Sequence, residues 1–178
     1  MRPPGYSHPA LTEFAAIAGA FCAAVANGVS RKPAEQLDQI HRILPRVYSA
    51  ALQLPDVSTV FANDDERELE AAQPVVVPPG LAQLAEFLGE RRFYREVYDP
   101  YAEPTEGECT GDLIDDLGDI YQDLRGGLVH WENGEPREAL WAWRFNFQIH
   151  WAEHATSALR ALFALSAWRD VPWPSGTR

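Results

Sequence analysis

Large apolar residues recur three and four positions apart along most of this chain, and nowhere do they alternate with polar ones over the length of a strand. Phe14, Ile17, Ala18, Phe21, Cys22 and Val25 share one helical face. The spacing predicts a helix from Pro9 or Thr12 to Asn27, with Gly28 as its stop. A second helix begins near Pro33 and carries Leu37, Ile40, Leu44, Val47, Tyr48, Ala51 and Leu52. Pro45 falls inside it, and a proline there removes a backbone hydrogen bond and crowds the preceding turn, so a kink or break is expected. Residues 56–78 read as an irregular, acidic and proline-rich connection. Val75 to Val77 is the one strand-like run, and Pro74, Pro78 and Pro79 box it in, so no sheet is expected.

A short helix over Leu81–Leu88 comes next. The aromatic run FYREVYDPY (93–101) then suggests a single helical turn that lays its rings on the bundle. Residues 103–111 read as a loop with Thr110 as a candidate N-cap. The two strongest patterns come last. One helix spans Asp112 to Trp131. After ENGEP, with Asn133-Gly134 as a stop and Pro136 suited to a first helical position, another runs to about Trp168. The tail 170–178 reads as frayed. The expectation is an all-α, single-domain bundle over 1–178, with about five helices. Its C-terminal pair forms an antiparallel hairpin whose last, long helix is central.

The helix over 112–131 packs five aspartates into the thirteen residues DLIDDLGDIYQDL. At about 100° per residue, Leu113, Leu117, Ile120, Leu124 and Leu128 form the core stripe. Asp112, Asp116, Asp119 and Asp123 form a second stripe roughly a quarter turn away, and Asp115 points elsewhere. Like charges one turn apart repel, so something must offset them. The last helix offers bases. Its core stripe is Leu140, Phe147, Trp151, Ala155, Ala158, Leu162 and Leu165, with Arg144 inside it and His150 and His154 at its edge. Matching levels across the hairpin sets Arg144 beside Asp119 and Asp123 as a structural ion-pair seam, with the histidines beside Asp112 and Asp116. Trp141, Trp143, Phe145, Phe147, Ile149 and Trp151 nearly encircle this helix, so it is central or shares a side, through Phe145, Ile149 and Phe163, with a second copy.

Composition narrows the classes. The chain has 178 residues, 46% hydrophobic with six Trp, and a net charge of −11, which suits a folded core and disfavours nucleic acid and anionic membranes as partners. Two cysteines, Cys22 and Cys109, make neither a disulfide framework nor a zinc site, and a reducing cytoplasm is the simplest setting. The uncharged run at 14–28 mimics an export signal, yet its large residues keep helical register as in an ordinary amphipathic helix.

The runs DLIDDLGDIYQDLRGGL and ALWAWRFNFQIHWAEHATSALRAL, with FAAIAGAFCAAV, LPRVYSAALQLPDV and FYREVYDPY, resemble an uncharacterised bacterial family, the domain-of-unknown-function group numbered five-zero-six-three. The resemblance covers nearly the whole chain and implies a compact helical bacterial protein, with no reaction attached. DDLGDIY is also similar to the EELGD-type helix of the all-helical MazG-like nucleoside triphosphate pyrophosphatases, in which carboxylates hold magnesium. Asp116 and Asp119 match that ExxD pair, but the EExxE helix completing such a site has no clear counterpart here.

Two functional readings follow. The first is a non-enzymatic bundle acting through protein partners or self-association, without a cofactor. The alternative is a metal-dependent hydrolase of a phosphorylated or nucleotide substrate. In that case Asp112, Asp116, Asp119 and Asp123 hold Mg or Mn, Arg144 neutralises phosphate, and His150 or His154 acts as base. The spacing of His150 and His154 suits a metal clamp, although the order His-Trp-Ala-Glu-His departs from the zincin pattern.

Overall fold

The structure, a computed structural model, describes residues 8–26, 32–56, 78–97, 101 and 108–167. Within them lie α1 (Pro9–Ala26), α2 (Pro33–Ala51), α3 (Pro79–Leu88), a 3-10 turn (Gly89–Arg92), β1 (Phe93–Val97), β2 (Glu108–Asp112) and α4 (Leu113–Glu132). The chain ends in a rod made of α5 (Pro136–Asn146), a π-turn (Phe147–Trp151) and α6 (Ala152–Ala167). Proline opens α2, α3 and α5, where its missing N–H would have had no helical acceptor. The expected Gly28 stop, most of the 56–78 connection, the 103–107 loop and the 170–178 tail lie outside the described residues.

The core is built from the faces that the periodicity marks. Leu11, Phe14, Phe21 and Val25 of α1, Ile40, Leu44, Val47 and Ala51 of α2, and Leu113, Leu117, Ile120 and Leu124 of α4 are fully enclosed. By length and composition alone α1 could cross a membrane, but here its large side chains are core. Burial holds the Cys22 thiol protonated, its pKa pushed up to about 12. Helix α1 packs on α2 and α4, and α4 packs on α5 and α6. A buried polar residue ties the first pair together. Gln36 of α2 donates its amide N–H groups to the carbonyls of Ala24 and Val25, both at 3.0 Å, and so satisfies the last turn of α1.

The aromatics of the last rod fill the centre. Phe14 meets Trp143 edge-on at 5.0 Å between centroids, and Phe147 meets Trp151 in the same way at 4.8 Å. Trp143 lies in a notch of α4, where its Nε1–H donates to the Leu124 carbonyl at 3.0 Å. The notch exists because residue 127 is glycine: a Cβ there would stand 2.1 Å from Trp143 Nε1.

Four expectations are corrected. A two-stranded antiparallel hairpin replaces both the helical turn over 93–97 and the 108–111 part of the loop, pairing Tyr94 with Gly111 and Arg95 with Thr110. It escaped the pattern because a lone ribbon on a bundle has no apolar face of its own to alternate. Asp112, not Thr110, caps α4, accepting from the Ile114 N–H at 2.9 Å. Of the kink or break expected at Pro45 the break does not occur, because helix α2 continues through it, with Pro45 on the exposed side and Leu44 and Val47 in the core. The last helix is also not uniformly α. Trp143, Phe147, Trp151 and Ala155 are all buried at four-residue intervals. Three such steps overshoot an α-helical face by about 120°, and the extra residue of a π-turn absorbs about 100° of it.

Gly127→Ala tests the notch. With Trp143 fully enclosed, the added methyl forces helix and indole apart, and denaturant unfolding should show a loss of about 2 kcal/mol or more. A variant as stable as the parent would mean that the helices can slide at this point.

Candidate metal centre

Two helical faces meet beside the core. On α4, Asp116, Asp119 and Asp123 edge the enclosed Leu117, Ile120 and Leu124, and Asp116 itself is 6% exposed. Opposite, His150 lies in the π-turn and His154 in the first turn of α6, flanking the enclosed Trp151 and Ala155. His154 Nδ1 is 2.9 Å from Asp116 Oδ1, and its Nε2 is 3.4 Å from Asp119 Oδ2. His150 Nδ1 is 2.8 Å from Asp123 Oδ2. A carboxylate can only accept, so each Nδ1 facing one carries the hydrogen and donates it. The two imidazoles stand edge to face, 4.8 Å between centroids. From the hairpin, the Tyr94 hydroxyl donates to Asp116 Oδ2, so both oxygens of this buried carboxylate are partnered.

The charges lean on one another. Hydrogen bonding to Asp116, helped by the charge of Asp119, raises the His154 pKa against the opposing effect of burial. Burial raises the pKa of Asp119 and of Asp123, with the nearby histidines pulling the other way. Tyr94 is held neutral by burial and by its bond to Asp116. One carboxylate oxygen of Asp119 and one ring nitrogen from each of His150 and His154 lie within 4.8 Å of one another, a grouping that could hold a metal ion.

The chain belongs to the DUF5063 family. The domain of unknown function of that name matches residues 7–167, nearly the whole of it. In fold the chain is similar to protein BF1032 from Bacteroides fragilis, whose crystal structure aligns with a TM-score of 0.63 at 23% identity, covering 96% of each chain. At that identity the likeness carries the fold alone. No curated protein matches the sequence. The family and fold therefore give the chain a shared helical scaffold and assign no role to these side chains.

The expected register across the helical hairpin holds in part. His154 meets Asp116, as expected, and also Asp119, while His150 meets Asp123, further along α4 than level matching placed it. Asp112 does not join them, because its oxygens cap α4 and pair with Arg92 at 3.1 Å. Asp115 is exposed, as expected. The Asp119–Asp123–Arg144 seam does not form: among the described residues no ion pair joins Arg144 to an aspartate. Its guanidinium lies 5.7 Å from the Phe147 ring centroid and its Nε is buried without a hydrogen-bond partner. The cause is Trp143, whose indole takes the position facing α4 and so turns the next residue about 100° off the seam. Tyr94 was not foreseen. Its one signal was an aromatic residue in a segment without apolar periodicity, and only the hairpin carries it to Asp116.

Arg144→Met should change stability by less than about 1 kcal/mol in urea unfolding, because it removes a poorly satisfied polar group and keeps the packing stem. A loss of about 3 kcal/mol or more, as when a buried charge is stranded, would reinstate the arginine seam.

Proposed function

We propose that this protein is a metal-dependent helical module that takes one divalent transition ion on Asp119, His150 and His154. The observation that carries the reading is that each histidine already gives its Nδ1–H to its own aspartate. This is how metal-binding histidines are commonly oriented, with the carboxylate fixing the tautomer and aiming Nε2 at the ion. Two imidazoles and one carboxylate form a donor set that suits zinc, iron, cobalt or nickel better than magnesium, which prefers oxygen alone. Ligand atoms around one such ion lie roughly 3–3.5 Å apart, so this set, now within 4.8 Å, must draw together by roughly 1 Å. His150, with 44% of its side chain exposed, is the one free to move.

Three protein ligands leave coordination positions for water or a substrate, the arrangement of a catalytic rather than a purely structural ion. A bound ion there acts as a Lewis acid and lowers the pKa of its water. The chain's own part is to hold the ligands, to keep Asp116 and Asp123 as acceptors behind them, and to present His154 Nε2, 3.4 Å from Asp119 Oδ2, unprotonated to the ion. This reading gives Arg144 no phosphate to neutralise.

Self-association remains a second reading, because Ile149 and Phe163 stay 63% and 64% exposed on the last rod. If it holds, light scattering shows a dimer that Ile149→Glu dissociates. A monomeric parent at high micromolar concentration would end it.

The metal reading fixes a pH dependence. The folded state holds the His154 proton more tightly than the unfolded chain does, so metal-free stability should fall as pH rises through the raised His154 value, above the ordinary 6.5. The elevated Asp119 and Asp123 values act in the same direction at lower pH, above 3.8. Metal binding needs the neutral ring and runs the other way. Zinc or cobalt at 100 times its dissociation constant should add about 2.7 kcal/mol at pH 8, with the gain shrinking as pH falls towards 6. Melts recorded with zinc, cobalt, manganese and magnesium against a chelator control check this. No shift with any of them at pH 8 would overturn the metal reading.

A further inference from the structure

Among the described residues the β-hairpin adds no fully buried side chain to the apolar core, against which Tyr94 packs, yet it is tied down to the helices that bear the proposed ligands. Arg92, at its base, pairs with the Asp112 cap of α4 at 3.1 Å. Arg160 of α6 donates to the Arg95 carbonyl at 2.9 Å and pairs with Glu96 at 3.0 Å. Between these ties Tyr94 leans inward. Its hydroxyl donates to Asp116 of α4 and faces the Ser157 hydroxyl of α6, one turn beyond His154.

The path of that phenol is specific. Tyr94 pairs with Gly111 across the hairpin, and its ring lies over the glycine. A Cβ at position 111 would stand 2.5 Å from Tyr94 Cζ and 2.8 Å from its hydroxyl oxygen. The absence of a side chain on one strand is therefore what lets the ring of the other cross it and reach the helices.

We infer that Tyr94, seated over Gly111, is a positioning residue that pre-organises the metal ligands, and that the hairpin exists to deliver it. The inference rests on the metal reading above. By holding Asp116 Oδ2, the phenol fixes the rotamer in which Oδ1 accepts from His154 Nδ1, and this directs His154 Nε2 towards Asp119. Among the described residues the Asp123–His150 arm makes no hydrogen bond to the hairpin, so that bond should persist when Tyr94 is altered. Loss of such an outer support costs metal sites roughly ten- to hundredfold in affinity.

The test uses the full chain and cobalt(II), whose visible absorption reports the number and geometry of its ligands. Wild type, Tyr94→Phe, Gly111→Ala and Ser157→Ala are titrated at pH 8, and the His154 ring nitrogens are followed by NMR in metal-free protein. Tyr94→Phe and Gly111→Ala should each bind cobalt roughly ten- to hundredfold more weakly, with a changed spectrum. In both variants His154 should lose its single Nδ1–H tautomer while His150 keeps its own. Ser157→Ala should move in the same direction by a smaller factor, and it serves as the deciding variant should either of the others fail to fold. Wild-type binding that is matched by the folded variants, with His154 unaltered, overturns the role of Tyr94 and leaves the metal reading standing. Absence of cobalt binding by the wild type overturns both.

Discussion

The insertion of Trp143 into the side of α4 is the contact on which the rest of the molecule turns. An indole needs about the space that one missing side chain leaves, and Gly127 leaves it, while the Leu124 carbonyl takes the indole N–H. A buried tryptophan without that acceptor would carry an unpaired donor at a cost of roughly 1–3 kcal/mol. The shape of the notch and the hydrogen bond together fix how far α5 can slide along α4. They also fix its rotation, because the neighbours of Trp143 must point wherever its own direction leaves them. Arg144 is turned onto Phe147, and the seam beyond is left to the two histidines.

Rotation and register then decide the electrostatics. Three aspartates along one helix edge repel one another, and partial burial penalises each charge. Protonatable bases offset this without the permanence of an arginine. His154 bridges Asp116 and Asp119, and His150 pairs with Asp123. An arginine in the seam would lock it as a fixed ion pair, since its guanidinium does not give up a proton. Histidines can exchange a proton for a cation at neutral pH, which is what the proposed ion would ask of His150 and His154. The π-turn at Phe147–Trp151 belongs to the same arrangement, because it keeps Trp151 and Ala155 in the core and so fixes the edge on which His150 and His154 stand.

Much of the bundle was legible in advance, and for a definite reason. Helical faces such as Phe14–Phe21–Val25 and Leu113–Leu117–Leu124 advertise themselves because burial repeats with the backbone's own period. The aspartate stripe and the two histidines were legible as candidates on the same ground. The hairpin was not, because a ribbon lying on a bundle has no apolar face to alternate, and Tyr94 reads as one aromatic among several. The α4 cap was misassigned by two residues, since Thr110 and Asp112 are both competent caps and only the end of β2 chooses between them.

What the sequence determined by itself is the set of helices, their buried faces, and the crowding of acid on one of them. All of these depend on residues within a few turns of each other. What only the tertiary structure decided is which base meets which acid. That choice depends on the sliding and rotation of one helix against another, set here by an indole in a glycine notch. No local pattern specifies that a tryptophan will outcompete the adjacent arginine for the space. The partner of Asp116 in the hairpin was likewise out of reach, because it depends on a cross-strand glycine seventeen positions from the tyrosine it accommodates.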